Sequence, residues 1–465
     1  MKEFTIILYA GGNNRLTTDL SLPKSLLPIG NRPLIWYTLQ VIQSHSSLAS
    51  SPLIILTSGQ YRQALDDYLS TLNITYEIVI HRQHHDSTSG GEDQQQTPDE
   101  LGTLDVLRLC YSRIRTESIC LLTCDLFGKV NLTPLINMFR VRDASLCMLL
   151  LKTTTTSSTT GKDSLVQPGQ KAKFTAEPEY YTIDQSSNTI TSIRLKADLD
   201  EYLPLRQNIL AKYPRTLIRT DLVDGHLYLI KKSCLDVANR SSYSSFRKEF
   251  LPKMIRQIAI DKPLEDLIFP ANNRKSLMRQ KTMDLDDHGD LSRILEQYDC
   301  DDNQIRGGCY YFIDDVPLFR VKHVLSYLEA NRQASSLISS YTNEDITFKD
   351  RLEQIQISSD CVIGDGHDIG KKTTIKRTII GKNCRIEDKC KIINCVLLDN
   401  IHVKEGVTLQ NSILCSRSTI GSKCEIQNSI VCSNQQVETN KKLNCETVSA
   451  ISNESTGYMI YDDEQ

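Results

Sequence analysis

Two stretches of this chain hold residues whose types and spacing suit phosphoryl chemistry. They are Gly11-Gly12-Asn13-Asn14-Arg15 and Pro23-Lys24. A glycine turn after an apolar strand presents backbone N–H groups that cradle phosphates. An arginine and a lysine beside it neutralise the charge that develops during transfer. Gly11, Gly12, Arg15 and Lys24 are therefore candidate nucleotide-loop residues. The remaining histidines offer less. His81, His84 and His85 lead into a polar segment and read as a solvated loop, while His367 and His402 are isolated residues within a repeat.

The elements that must position these groups form an α/β domain. Phe4–Ala10 is a buried-strand run and Pro33–Ser44 a helical stretch introduced by proline. Strand-like runs recur at 52–57, 76–80, 118–124 and 144–151, separated by helix-length segments. The alternation predicts a largely parallel, doubly wound sheet. Residues 310–313 resemble a further strand and 316–333 a helix. Three polar stretches, 84–98, 153–168 and 272–304, lack the apolar surface to fold and are expected as insertions.

The last third follows a different rule. From Ile363 to Val448 an apolar residue recurs every 6, 6 and 5 positions, as in Ile380, Ile386, Ile392, then Leu397, Val403, Leu409. Seventeen residues per turn of a three-sided coil predict a hexapeptide-type parallel β-helix. At about 4.8 Å per coil, five coils make a prism about 24 Å tall. Gly364, Gly370, Gly381 and Gly421 are expected at corners that need backbone freedom. Thr373, Cys384, Cys390, Val407, Ser418 and Cys424 fill a second, small inward position, and Asn394, Asn411 and Asn428 should stack as an amide ladder. The register contains no excursion on which His367 or His402 could build an acyl-transfer site. The domain plan is thus 1–333, a linker over 334–356, a β-helix over 357–450 and an acidic tail over 451–465.

Composition excludes several classes. A net charge of −3 without long basic runs gives no electrostatic case for nucleic-acid binding. The fifteen cysteines contain no C-x-x-C pair and cluster in the coils, where they read as small buried hydrophobes in a reducing compartment. The N-terminus does not read as a signal peptide, and no apolar run approaches the roughly 20 residues that cross a bilayer. A cytosolic protein without cofactor or membrane contact is expected.

At the candidate site the chain resembles the sugar-1-phosphate nucleotidyltransferases, whose signature reads A-G-G-x-G-T-R-L followed by P-K-x-L-L-P. Many of these carry a C-terminal hexapeptide β-helix. Gly102-Thr103-Leu104-Asp105-Val106-Leu107 is similar to their G-T-A-x-A-L nucleotide-contact segment, and Leu122-Thr123-Cys124-Asp125-Leu126 to their strand-end G-D-x motif, so the resemblance makes Gly102 a candidate nucleotide-loop residue and Asp125 a candidate metal ligand. The resemblance implies one reading as a Mg²⁺-dependent transferase using Asp125, Arg15 and Lys24. The departures imply another. Two residues separate Gly12 from Arg15 where the family has three, Asn14 replaces a glycine, and the E-K-P sugar-phosphate segment has no counterpart. The second metal carboxylate of the family lies in D-V-G-T-x-x-x-Y-x-x-A-N. Tyr327, Ala330 and Asn331 match its end, which places Arg320 at the aspartate, with Lys322 and His323 at the glycine and threonine. A cation there is expected to pair with Asp125 where the metal would sit.

The gamma subunits of eukaryotic translation initiation factor 2B are similar over nearly the whole chain outside the insertions. The resemblance rests on Pro23–Tyr37, Asp143–Leu149, Pro168–Lys171, Ala197–Glu201, Asp221–Tyr228 and Leu328–Gln333. It implies a nucleotidyltransferase-like domain followed by a left-handed β-helix, and a non-catalytic subunit of the complex that exchanges GDP for GTP on initiation factor 2. The implied partners are an epsilon-type catalytic subunit, the other subunits of the complex and initiation factor 2. The sequence ends soon after the repeats, so the helical-repeat exchange domain of epsilon is not expected here.

Overall fold

The computed structural model describes residues 2–11, 22–81, 101–152, 179–199, 202–267, 307–314, 318–342 and 355–449. Gly12 and Arg15, the stretches 84–98, 153–168 and 272–304, and the tail 451–465 lie outside the described residues.

The strands of the first domain are β1 (Phe4–Tyr9), β2 (Pro28–Ile29), β3 (Arg32–Pro33), β4 (Leu53–Ser58), β5 (Tyr76–His81), β6 (Ser118–Thr123), β7 (Leu126–Phe127) and β8 (Leu146–Lys152). They continue with β9 (Glu179–Asp184), β10 (Thr189–Leu195), β11 (Thr216–Arg219), β12 (Leu222–Lys231), β13 (Cys309–Ile313) and β14 (Phe319–Arg320). Ten of them form one sheet in the order β11-β9-β10-β13-β8-β12-β6-β1-β4-β5. β1 is apolar at every position but Thr5 because it lies between β4 and β6, parallel to both.

The sheet is mixed rather than largely parallel. β6-β1-β4-β5 and β13-β8 run parallel, but β12 enters antiparallel between β6 and β8, and β10-β9-β11 is antiparallel. The reason is local. β9 turns directly into β10 through Asn188 at φ 55°, and a tight turn can only return antiparallel. The helix expected over 316–333 is also displaced. Phe319–Arg320 is a strand paired with β7, and the helix runs Val324–Thr342, past the expected end of the domain at residue 333. The His323 side chain accepts from the Ser326 N–H at 3.2 Å, an N-cap that sets this start.

The β-helix follows the 17-residue register. Ile386 pairs with Val403, Val403 with Ile420 and Ile420 with Val437, and all four are buried. Asn394 Nδ2 donates to Asn411 Oδ1 at 2.7 Å, and Asn411 Nδ2 to Asn428 Oδ1 at 3.3 Å. The corner glycines, however, serve a different purpose from the expected one. The positive φ values at the corners belong mainly to other residues, among them Asn383 (54°), Asn400 (58°), Asn411 (49°) and Asn440 (59°). A Cβ on Gly381 would instead come within 2.7 Å of the Leu398 carbonyl carbon, and one on Gly421 within 2.6 Å of Thr439 N. These glycines let one coil lie against the next.

One face of the prism carries a second apolar ladder. Strand alternation turns Val362, Ile379, Val396, Ile413 and Ile430 outward, yet none is more than 5% exposed. Val396, Ile413 and Ile430 join Leu27, Ile29, Leu34, Trp36 and Tyr37, together with Tyr327, Ala334 and Ile338 of the long helix, in one continuous core. Helix Leu34–Gln43 serves both cores: Leu34, Trp36 and Tyr37 face this seam, while Ile35, Leu39 and Ile42 pack with the sheet. Asn31 Nδ2 crosses to the Ile380 carbonyl at 2.8 Å, and Gly30 N–H donates to Asn331 Oδ1 at 3.0 Å. Gly30 must be glycine here. Its φ is 55°, and a Cβ would lie 2.7 Å from that of Ala334.

Candidate functional site

β1 and β6 end level, with Tyr9 opposite Thr123 and Cys124 N–H donating to the Tyr9 carbonyl at 2.9 Å. Gly11 and Asp125 thus leave the same carboxyl edge of the sheet, the edge at which parallel α/β sheets hold ligands. Asp125 is 1% exposed. Its Oδ1 accepts from Thr123 Oγ1 at 2.6 Å and Arg320 Nε at 3.0 Å. Its Oδ2 accepts from Lys24 Nζ at 2.7 Å and Arg320 Nη2 at 2.7 Å. Four donors occupy the roughly four lone-pair sites that a carboxylate offers.

Each donor is placed by its own element. Lys24 opens a short 3₁₀ turn after Pro23. Arg320 closes β14, which pairs with β7, and the next residue, Val321, donates its N–H to the Asp125 carbonyl at 2.9 Å. The guanidinium therefore meets the carboxylate as a two-point fork. Burial raises the Asp125 pKa, but Arg320 and then Lys24 outweigh it and hold the group well below the usual carboxylate range.

Further cations surround this pair. β12 carries a register shift between Asp224 and Tyr228, where His226 adopts φ 51° and its N–H donates to Asp224 Oδ1 at 2.7 Å. Burial first, then Arg320 and Arg247, push the His226 pKa far below its ordinary value. His226 Nε2 and Arg320 Nη1 are buried without a hydrogen-bond partner. Asp224 Oδ2 accepts from Tyr228 Oη at 2.5 Å and Arg247 Nε at 3.0 Å, and Arg247 also pairs with Glu179. Asp224, His226 and Arg247 were not singled out from sequence. The Asp-Gly-His run inside a strand was the available signal, since a glycine there often marks a bulge.

The remaining candidates take structural positions. A Cβ on Gly102 would lie 2.3 Å from the Ser244 carbonyl oxygen, and the Gly102 N–H donates to Asp105 Oδ2 at 3.1 Å, opening helix Thr103–Cys110. His402 Nε2 lies 2.9 Å from Glu387 Oε1, and His367 Nδ1 lies 2.9 Å from the Gly364 carbonyl. Among the described residues no group of His, Cys, Asp or Glu could hold a metal ion, and the cysteines are free thiols, mostly buried. The site does not fit a Mg²⁺ ion. Asp125 already has its lone pairs engaged, and the position facing it is a guanidinium.

Comparison with known proteins reaches both halves of the chain. A family model described as "EIF2B subunit epsilon LbH domain" matches residues 339–443, which take in most of the left-handed β-helix. Translation initiation factor eIF2B subunit gamma of Dictyostelium discoideum is 24% identical over 413 residues, covering 83% of this chain and 88% of that protein. The chain is related to the eIF2B gamma subunits. The gamma subunit of Schizosaccharomyces pombe is 24% identical over 80% of the chain and 72% of its own length. That of Caenorhabditis elegans is 25% identical over 34% of the chain and 37% of its own length. The first two alignments cover too much of the chain to be confined to the coils, so they include the domain that carries Asp125. No helix among the described residues is long and apolar enough to cross a membrane.

Proposed function

We propose that this chain is a structural and regulatory subunit of an eIF2B-type guanine-nucleotide exchange complex, built on a nucleotidyltransferase-like domain that no longer transfers nucleotides. The observation that supports loss of transfer is the saturated carboxylate. Nucleotidyl transfer relies on a divalent cation clamped between carboxylates for much of its electrostatic assistance. Here Arg320 and Lys24 occupy both oxygens of Asp125. Exchanging them for a metal would strand a buried guanidinium. Incubation with Mg²⁺, sugar-1-phosphates and each nucleoside triphosphate should release no pyrophosphate. Turnover that Asp125→Ala abolishes would overturn the reading.

The exchange role rests on the relatives, named as eIF2B gamma, and on the β-helix match, named for epsilon. In this reading the chain pairs with an epsilon-type subunit and acts on initiation factor 2 through it. Alone, it should leave GDP release from that factor near the spontaneous rate. Mixed with the partner, it should raise the partner's rate. Fluorescent-GDP release with and without the partner tests this, and fast release by this chain alone would count against it.

A further inference from the structure

At the outer end of the sheet, β9 and β10 meet helices Gln207–Lys212 and Leu251–Ala259 around a cavity of about 170 Å³. Three arginines line it, Arg194, Arg206 and Arg256, together with Thr182, Thr191 and Ser192. It shares no residue with the Asp125 cluster. None of the three arginines has a carboxylate partner among the described residues, whereas Arg219 pairs with Asp221, and Arg247 with Glu179 and Asp224. Desolvation first, then Arg206 and Arg194, lower the Arg256 pKa, so the three charges repel one another in a partly dry space. Like charges gathered without an acid are destabilising unless an anion joins them.

We propose that this pocket binds a phosphate group, carried by a small phosphate monoester or by a phosphorylated side chain. A phosphate monoester brings a charge of about −1.5 to −2 and three acceptor oxygens, which suits three planar guanidinium forks better than a single carboxylate does. Size narrows the choice. Pockets for drug-sized ligands run from about 300 Å³ upward, so this one admits the phosphate and a short stem but not a nucleotide. Leu205 and Leu210, which also line it, are more than 40% exposed and would flank the stem. This site is independent of the exchange role.

The test uses the full chain and inorganic phosphate at constant ionic strength, with chloride as the balancing anion. Phosphate should raise the melting temperature and give a titration isotherm. Arg256→Gln and Arg206→Gln should each weaken binding by about tenfold or more, the usual loss for one charge-assisted hydrogen bond. Dependence on these two residues separates the pocket from the cations around Asp125. Arg206 is exposed, so its variant should fold even where Arg256→Gln does not. Without phosphate, Arg206→Gln should melt no lower than the parent, because a repelling charge has gone; an arginine with a merely structural role would melt lower. Glycerol phosphate and a phosphoserine peptide, beside its unphosphorylated form, then identify the carrier by which exceeds inorganic phosphate. No response to phosphate, or a response unchanged in both variants, would overturn the proposal.

Discussion

In the β-helix a side chain is held by neighbours 17 positions away, as Asn394 is by Asn411; Asp125 is held by groups 101 and 195 positions away. Both regions bury polar atoms, but they satisfy them differently. Coil residues use the adjoining turn: Cys384 Sγ donates to the Leu398 carbonyl at 3.0 Å, and Cys424 Sγ to the Glu438 carbonyl at 2.9 Å. Asp125 gathers donors from three segments, and each donor has that carboxylate as its partner. Damage to a coil therefore stays between neighbouring coils, whereas loss of one group at the sheet edge strands two others.

The severest test of the coil side is Ile420→Asp. Ile420 is 0% exposed and stacked between Val403 and Val437. Keeping a carboxyl there raises its pKa by 3–5 units, so with the lost apolar contact the cost should be about 5 kcal/mol or more. Thermal and urea unfolding measure it, and an unchanged melting temperature would refute the register. On the other side, Asp125→Asn leaves Arg320 and Lys24 without their counter-ion and should cost about 3–5 kcal/mol. Adding Arg320→Leu should restore much of that loss. If the double variant is no more stable than Asp125→Asn alone, the groups are not coupled as their geometry indicates.

Acid should separate the two regions next. Burial, followed by Lys322 and Lys24, takes the His323 pKa down to about 4, and His226 is also strongly depressed. Below the ordinary histidine value of about 6.5, the unfolded chain takes up protons that the folded chain refuses. Stability should therefore fall as pH drops from about 6.5 toward 4, by up to about 1.4 kcal/mol per pH unit for each histidine. His323→Asn keeps an N-cap acceptor and should flatten the slope in urea titrations at pH 7, 6 and 5; parallel slopes would contradict the assignment. The smallest effect belongs to the ladder. Asn411→Gly tolerates φ 49° and removes the amide pairs, for about 1 kcal/mol, while Asn411→Ala adds a left-handed penalty of about 1–2 kcal/mol. Equal losses would show that the corner conformation costs nothing.

The same contrast explains what could be read beforehand. The coils repeat, so Ile386, Val403, Ile420 and Val437 declare their side by spacing alone. The outward ladder at Val396, Ile413 and Ile430 was equally visible, one residue before each inward position on that face, but the repeat could not say what covers it. Arg320 was reachable only by counting back from Tyr327, Ala330 and Asn331. The Asp224–Arg247 pair depends on contacts between distant segments, which no local period encodes, whereas the bulge at His226 left a local mark in Gly225. The mixed sheet was missed for a different reason: the runs at 4–10, 52–57, 76–80, 118–124 and 144–151 do share one direction, and the opposing strands fall within 179–231, where no run was singled out from sequence.

The seam beneath Gly30 has a mechanical meaning. It is apolar and continuous, the hydrogen bond from Asn31 Nδ2 to the Ile380 carbonyl crosses it, and Asn331 Oδ1 fixes Gly30 beside it by accepting from its N–H. Domains rock against each other when their shared surface is small and wet. This one is a continuous apolar core, to which the long helix that starts just after Arg320 contributes Tyr327, Ala334 and Ile338. Sheet and prism should turn together as one rigid body. A protein that grips the prism would then set the orientation of the sheet's carboxyl edge directly, with no joint to absorb the torque. Binding energy spent at one end would appear at the other as placement rather than as bending.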